Sequence, residues 1–291
     1  MSRRTTRIVC SLGVLLVLAG IAVAQRGRSR WRGQTDLEGV DRNGVPEWSN
    51  EERFKHDVFT FARVRYNSGG GYGRGYGQYR GGYGGGGGWD TDWPDSDLNF
   101  SFRLHQLTSL ETDPNGKIVE LTDDELFDYP FLYLIEPGRM SLDENEVAGL
   151  RKYLLNGGFL MVDDFWGERE YDNFLQNFER VFPERKLVEL PLEHEIFHCV
   201  YDLKIRPQVP SIHSPWQSGY TTDRPGDPGS IDVHYQGLFD DNGRMMAIVC
   251  HNTDLGDGWE REGESAEYFK QFAEKWSYPM GINILTYAMT H

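Results

Sequence analysis

The stretch that most constrains the fold is Gly157-Gly158-Phe159-Leu160-Met161-Val162-Asp163-Asp164-Phe165-Trp166-Gly167. Phe159 to Val162 is apolar at every position and bounded by turn residues, whereas a strand with one face in water alternates. Such a run fits a short strand covered on both faces, as in a parallel sheet sandwiched between helices. Helical spacing flanks it. Upstream, Ser141 and Glu144 fit a capping box, Val147, Leu150, Leu154 and Leu155 recur on one face, and Gly157 ends the helix. Downstream, Tyr171, Phe174, Leu175, Phe178 and Val181 repeat the pattern until Pro183. With Phe131 to Ile135 as an earlier buried strand, the order strand, helix, strand, helix predicts an α/β fold with a mostly parallel sheet and helices on both faces.

Val58 to Tyr66 alternates well enough to be the first strand. Gly69 to Gly88 follows, where 13 of 20 residues are Gly. That composition buries too little apolar surface to offset chain entropy, so it reads as a long loop inserted after the first strand, a lid or spacer. Leu98, Phe102, Leu104 and Leu107 predict a helix capped by Asp95 or Ser96. Leu187 to Leu190 predicts a strand, and Lys204 to Pro228 a long loop. Ile231 to Phe239 and Arg244 to Cys250 predict a hairpin joined through Asn242-Gly243. Ser265 to Trp276 predicts a helix, and Pro279 to Ala288 a last apolar element.

Residues 1–24 start with Arg3, Arg4 and Arg7, continue apolar from Ile8, and end Ala22-Val23-Ala24. That is the layout of a secretory signal peptide, with an uncleaved membrane anchor as the alternative. The expected organisation is signal or anchor at 1–24, polar linker at 25–54, and one α/β domain at 55–291. An exported protein of the periplasm or cell envelope is implied, touching a membrane only through residues 8–24 if these are retained. The net charge of -15 argues against a nucleic acid partner, because phosphates would be repelled. In an oxidising compartment Cys199 and Cys250 could pair, or both could be buried thiols.

In open α/β sheets ligands bind outside the carboxyl ends of the strands, which draws attention to Asp163 and Asp164. They could hold a cation, pair with Arg169, act as acid and base, or cap the helix that starts near Glu168. A second polar strand end carries His251, Asn252, Asp254, Asp257 and Glu260. Its oxygens and imidazole could bind a cation, or its Asp and Asn side chains could satisfy their own backbone. Trp166 and Trp259, beside the two ends, are candidate aromatic walls of a sugar-binding cleft, or core residues. His194-Glu195-Ile196-Phe197-His198 matches the zinc protease pattern H-E-x-x-H. It requires His194 and His198 one turn apart on a helix, which Pro191 would start and which would bury Leu192, Ile196 and Val200.

Phe59 to Tyr66, Gly157 to Gly167, His251 to Glu260, and the ending Gly281 to Ile284 through Ala288 to His291 resemble, in the same order, an uncharacterised bacterial domain family. The resemblance spans about residue 55 to the end. It implies a flavodoxin-like layered sheet similar to class I glutamine amidotransferases, and it brings no established activity. An amidotransferase needs a nucleophilic Cys on a sharp turn after a strand, where this chain has Asp163 and Asp164. The family pattern resembled here has a proline in place of Glu195, which makes the H-E-x-x-H match look accidental.

The expectation is therefore a non-catalytic domain that binds a small polar ligand, such as a carbohydrate, through Asp163, Asp164, His251, Asn252 and Asp254 with Trp166 and Trp259 as walls. No organic cofactor is expected, and a divalent metal is possible. The rivals are a metal-dependent hydrolase and a structural partner of another envelope protein.

Overall fold

The structure is a computed structural model that describes residues 40–54, 57–68 and 88–291. The expected signal peptide, the first part of the linker, and the Gly-rich run up to residue 87 lie outside the described residues. Among the described residues, no helix is long and apolar enough to cross a membrane.

Seven strands form one sheet: β1 (Ala62–Arg65), β2 (Lys117–Glu120), β3 (Phe131–Ile135), β4 (Phe159–Asp163), β5 (Val188–Glu189), β6 (His234–Phe239) and β7 (Met245–His251). Their order is β2-β1-β3-β4-β7-β6-β5. β2, β1, β3, β4 and β7 pair in parallel, and β6 runs antiparallel to both of its neighbours. The parallel part has the order of a doubly wound, flavodoxin-type sheet, with its switch point between β1 and β3. The architecture is therefore the expected α/β layering with a mostly parallel sheet.

The continuously apolar strands are explained by two cores, one on each face. Along β3 and β4, Phe131, Tyr133, Ile135, Phe159 and Met161 face one core, while Leu132, Leu134, Leu160 and Val162 face the other. The second core is closed by α2 (Glu144–Leu155) and α3 (Gly167–Val181). The first is closed by α1 (Asp95–Leu107), α4 (Leu255–Glu260) and the C-terminal helical run. That run begins as α5 (Ala266–Tyr268), widens into a π-helix over Phe269–Ser277, and continues as α6 (Tyr278–Thr290).

Several details differ from the sequence expectation. The capping box of α2 is Asp143 with Glu146, two residues beyond Ser141 and Glu144, because Asp143 accepts from the Asn145 and Glu146 amides and Glu146 returns to Asp143 N. α1 follows Pro94 with no side-chain cap, since Asp95 accepts from Asn43 Nδ2 and Ser96 turns to the buried guanidinium of Arg63. β2 is an additional strand, too short and too polar at its ends to stand out. Residues 40–54, expected within the linker, hold contacts with the domain: Trp48 stacks on His105 at 4.7 Å and donates to Thr112 O. Cys199 and Cys250 are both free thiols, so they do not pair.

Candidate functional site

The carboxyl ends of β3, β4 and β7 lie side by side, and each is followed at once by a polar residue in the left-handed backbone region. These are Glu136 (φ 48°), Asp164 (φ 55°) and Asn252 (φ 59°); Asp92 (φ 60°), in the segment leading into α1, is a fourth. Residues with a Cβ adopt this conformation at a cost of roughly 1–2 kcal/mol, and such positions cluster at functional sites.

Asp163 ends β4 on the face of Tyr133 and Met161. Its Oδ2 accepts from Tyr133 OH at 3.1 Å and from the Leu255 and Gly256 amides at 3.0 Å each, so it caps α4. Burial pushes its carboxyl up to about 7, opposed by those hydrogen bonds. Asp164 turns the other way and accepts from Trp166 Nε1 at 3.0 Å. Burial and the nearby charges of Glu136, Asp223 and Asp163 drive it well above the carboxylate range.

The end of β7 is mostly occupied in holding the backbone. Asn252 Oδ1 accepts from Gly167 N at 2.8 Å, and its Nδ2 donates to Gly229 O and Asp232 O. Neither Asp163 nor Asp164 caps α3; Asn252 does. His251 Nε2 donates to Gly167 O at 3.2 Å, and its ring packs on Phe165 and Tyr171. Burial lowers its pKa to about 4, so the imidazole is neutral. Asp254 Oδ1 accepts from Asp257 N at 2.7 Å, and burial with the surrounding acids raises its pKa far above normal.

Asp164 and Asp254 meet a third carboxylate that sequence reasoning missed. Oxygens of Asp92, Asp164 and Asp254 lie within 4.8 Å of one another, and a second set, Asp92, Asp257 and Glu260, does the same. Asp92 is placed there by Arg63 of β1, which is fully buried. Arg63 binds Asp97 through two nitrogens and donates to Trp89 O and Thr91 O, fixing the turn on either side of Asp90. Glu136 and Glu260 are pushed up to about 7, in both cases chiefly by burial. Asp223 is raised to about 7 by burial as well, and Arg224 beside it is paired with Glu170. Glu136 follows a continuously apolar strand just as Asp163 does, and that signal was readable. Asp92 carried none, because its place depends on a buried arginine.

The other candidates are not brought to this cluster. Trp259 is fully buried, stacked on Phe100 at 4.2 Å and packed on Tyr133 at 5.7 Å, so it is core and not a wall. Trp166 is only 2% exposed. The partly exposed indoles beside Asp92 are Trp89 and Trp93, with ring centres 6.4 Å apart. The H-E-x-x-H stretch forms a single 3-10 turn, Glu195–Phe197, with Val200 exposed. His198 spends both ring nitrogens, on Asp202 Oδ1 and Leu192 O, and His194 Nδ1 accepts from Ile196 N. A π or 3-10 turn does not place residues i and i+4 on one face as an α-helix does, so the two imidazoles lack the helical pairing on which the zinc motif depends.

Residues 60–289 match a family described as a domain of unknown function, DUF4159. The chain belongs to the DUF4159 family. The match covers every strand of the sheet and all the carboxylates above, so the cluster lies wholly within the DUF4159 domain. No curated protein matches the chain.

Proposed function

We propose that this DUF4159 domain is a non-catalytic binding module for a small polyhydroxylated ligand, of carbohydrate type, at the carboxyl ends of β3, β4 and β7. The observation that carries this reading is the gathering of Glu136, Asp164, Asn252 and Asp92, all held in the left-handed region, around carboxylates with unused acceptor capacity. Carboxyl groups whose pKa is raised by burial, as in Asp164 and Asp254, accept hydrogen bonds and, where protonated, donate one as well, so the cluster suits a ligand rich in hydroxyls, and its acidity disfavours anions. Asp92, Glu136, Asp223 and Glu260 keep partial solvent exposure and form the rim. Trp89 and Trp93 replace Trp166 and Trp259 as the aromatic surface against which a sugar face would pack. Amidotransfer is not part of this reading, because the turn after β4 carries Asp163 and Asp164, and both described thiols lie elsewhere.

The basic start, apolar run and Ala-x-Ala ending of residues 1–24 support export or membrane tethering, and thus a place in the cell envelope. The test is calorimetric titration of the purified protein with glucose, N-acetylglucosamine and glucuronate, with Asp164→Asn alongside. Saturable binding of a neutral sugar that weakens at least tenfold in the variant is expected. Heats at the level of dilution for all three probes would remove the reading.

A further inference from the structure

We propose that Asp92, Asp164 and Asp254 form a site for one hard divalent cation, Ca²⁺, Mg²⁺ or Mn²⁺, at the heart of this cleft. The inference rests on the strand-end cleft being the binding site, and it names what that site holds first. Two oxygens on opposite sides of a calcium ion are roughly 4.8 Å apart, since Ca–O distances are about 2.4 Å. The three carboxylates meet that limit, with their oxygens within 4.8 Å of one another.

The second triad is a poorer candidate because it already has a counter-ion. Arg261 Nε lies 2.5 Å from Glu260 and 3.9 Å from Asp257. Among the described residues, no lysine or arginine forms an ion pair within 4.0 Å of Asp92, Asp164 or Asp254. A second sign is Asp92 Oδ2: this oxygen is out of solvent although the residue keeps partial exposure, and it receives no N–H donor, with the Glu260 carboxyl as a polar neighbour. A buried carboxylate oxygen left in that state costs at least a few kcal/mol, which a proton or a cation removes.

The backbone explains how three acids are kept together. Asp164 is held by Trp166, Asp254 by the Asp257 amide, and Asp92 by the turn that Arg63 clamps. Each local bond engages one oxygen or none, so at least one oxygen per carboxylate remains for a metal. The donor set is all oxygen, with His251 turned away to Gly167 O. That selects a hard cation over zinc or copper. Three carboxylates fill only part of a shell of six to eight, and the hydroxyls of a sugar can supply the remainder. The cation would thereby answer how so acidic a cleft holds a neutral ligand.

The experiment uses the purified protein stripped with EDTA, dialysed, and titrated with CaCl₂, MgCl₂ and MnCl₂ by calorimetry and thermal unfolding at pH 7.5. One-to-one binding of at least one of these ions with a rise in melting temperature is expected. Asp92→Asn and Asp164→Asn, whose new asparagines tolerate positive φ, should each weaken it at least tenfold, while Glu144→Gln, an exposed site on α2 outside the cluster, leaves it unchanged. No ion-dependent heat or shift in folded protein, or Asp92→Asn and Asp164→Asn both binding as wild type does, overturns the site. Repeating the sugar titration with and without the ion separates the two readings. Cation binding without sugar binding leaves the metal site and removes the ligand. Sugar binding that is indifferent to EDTA keeps the ligand and counts against the metal.

Discussion

Asp163 and Asn252 exchange helix caps across the sheet. Asp163, ending β4, accepts from the first amides of the helix that follows β7, at 3.0 Å to Leu255 and Gly256. Asn252, following β7, accepts from Gly167 N at 2.8 Å, where the helix after β4 begins. Each strand end thus satisfies the orphan donors of the other's helix, which locks β4 against β7 just where the carboxylate cluster sits.

Asn252→Ala removes one acceptor and two donated bonds, leaving Gly167 N without its partner in a buried place and Gly229 O and Asp232 O without theirs in half-buried surroundings. It also puts alanine at φ 59°. Loss of a cap costs about 1 kcal/mol, and unsatisfied partners with backbone strain add to it, so a total of about 3 kcal/mol is expected. Urea unfolding should show it as a lower midpoint at unchanged slope. A loss under about 1 kcal/mol would mean that the cap exchange is incidental.

Arg63→Met leaves Asp97 buried without its partner and releases Trp89 O and Thr91 O. Breaking one half of a buried pair costs about 3–5 kcal/mol, and replacing both halves with apolar groups costs far less. Arg63→Met with Asp97→Leu should therefore regain much of the stability. It should not regain cation affinity, because the turn carrying Asp92 stays unclamped. Recovery of stability and affinity together would show that Arg63 does not position Asp92.

His251 makes stability depend on pH in a defined direction. Its folded pKa of about 4 lies below the ordinary 6.5, so between those values the unfolded chain takes up a proton that the native state refuses. Stability is lost as pH falls through 6.5, by about 2 kcal/mol from pH 7 to pH 5. His234, stacked on His251 and facing Glu189, and the Tyr171 hydroxyl are the titratable groups packed nearby. Asp163, Glu136, Asp223 and Glu260 titrate in the opposite sense, since raised carboxyls stabilise below about 4 and lose that as pH rises through 7. The difference between wild type and His251→Gln isolates the imidazole. Parallel pH curves for the two proteins would contradict a neutral buried His251.

The layered sheet was legible because continuous apolar runs and helical periodicity are local signals. Phe159 to Val162 fell on β4, Phe131 to Ile135 is β3, and the Asn242-Gly243 turn joins an antiparallel pair. The cluster was half legible. Asp164, Asp254, Asp257 and Glu260 follow strand ends that the sequence marks. Asp92 and Asp223 come from irregular segments whose positions are set by long-range contacts such as Arg63 to Thr91, and no periodicity reports those. The tryptophans were misplaced for a related reason. An indole beside a strand end looks alike in sequence whether it faces the rim or the core, and only packing decides.

For Trp259 the packing decides firmly, and substitution should follow it. Its ring fills the space among Phe100, Tyr133 and Phe61, and Gly281 lies against it so closely that an added Cβ would stand 2.6 Å from Trp259 Cζ2. Trp259→Ala should cost about 3–5 kcal/mol, as for other buried aromatics. Gly281→Ala should cost about 1–3 kcal/mol through overpacking. Trp259→Phe vacates the region of Cζ2, so the pair Trp259→Phe and Gly281→Ala should be less damaging than the sum of the two. Phe100 Cε2 would be only 2.7 Å from the same Cβ, which limits the recovery to part of the overpacking cost. Strict additivity, measured by urea unfolding of the four proteins, would show that the two residues do not share one packed space. A Trp259→Ala protein that kept its stability and lost only sugar binding would return Trp259 to the role of a wall.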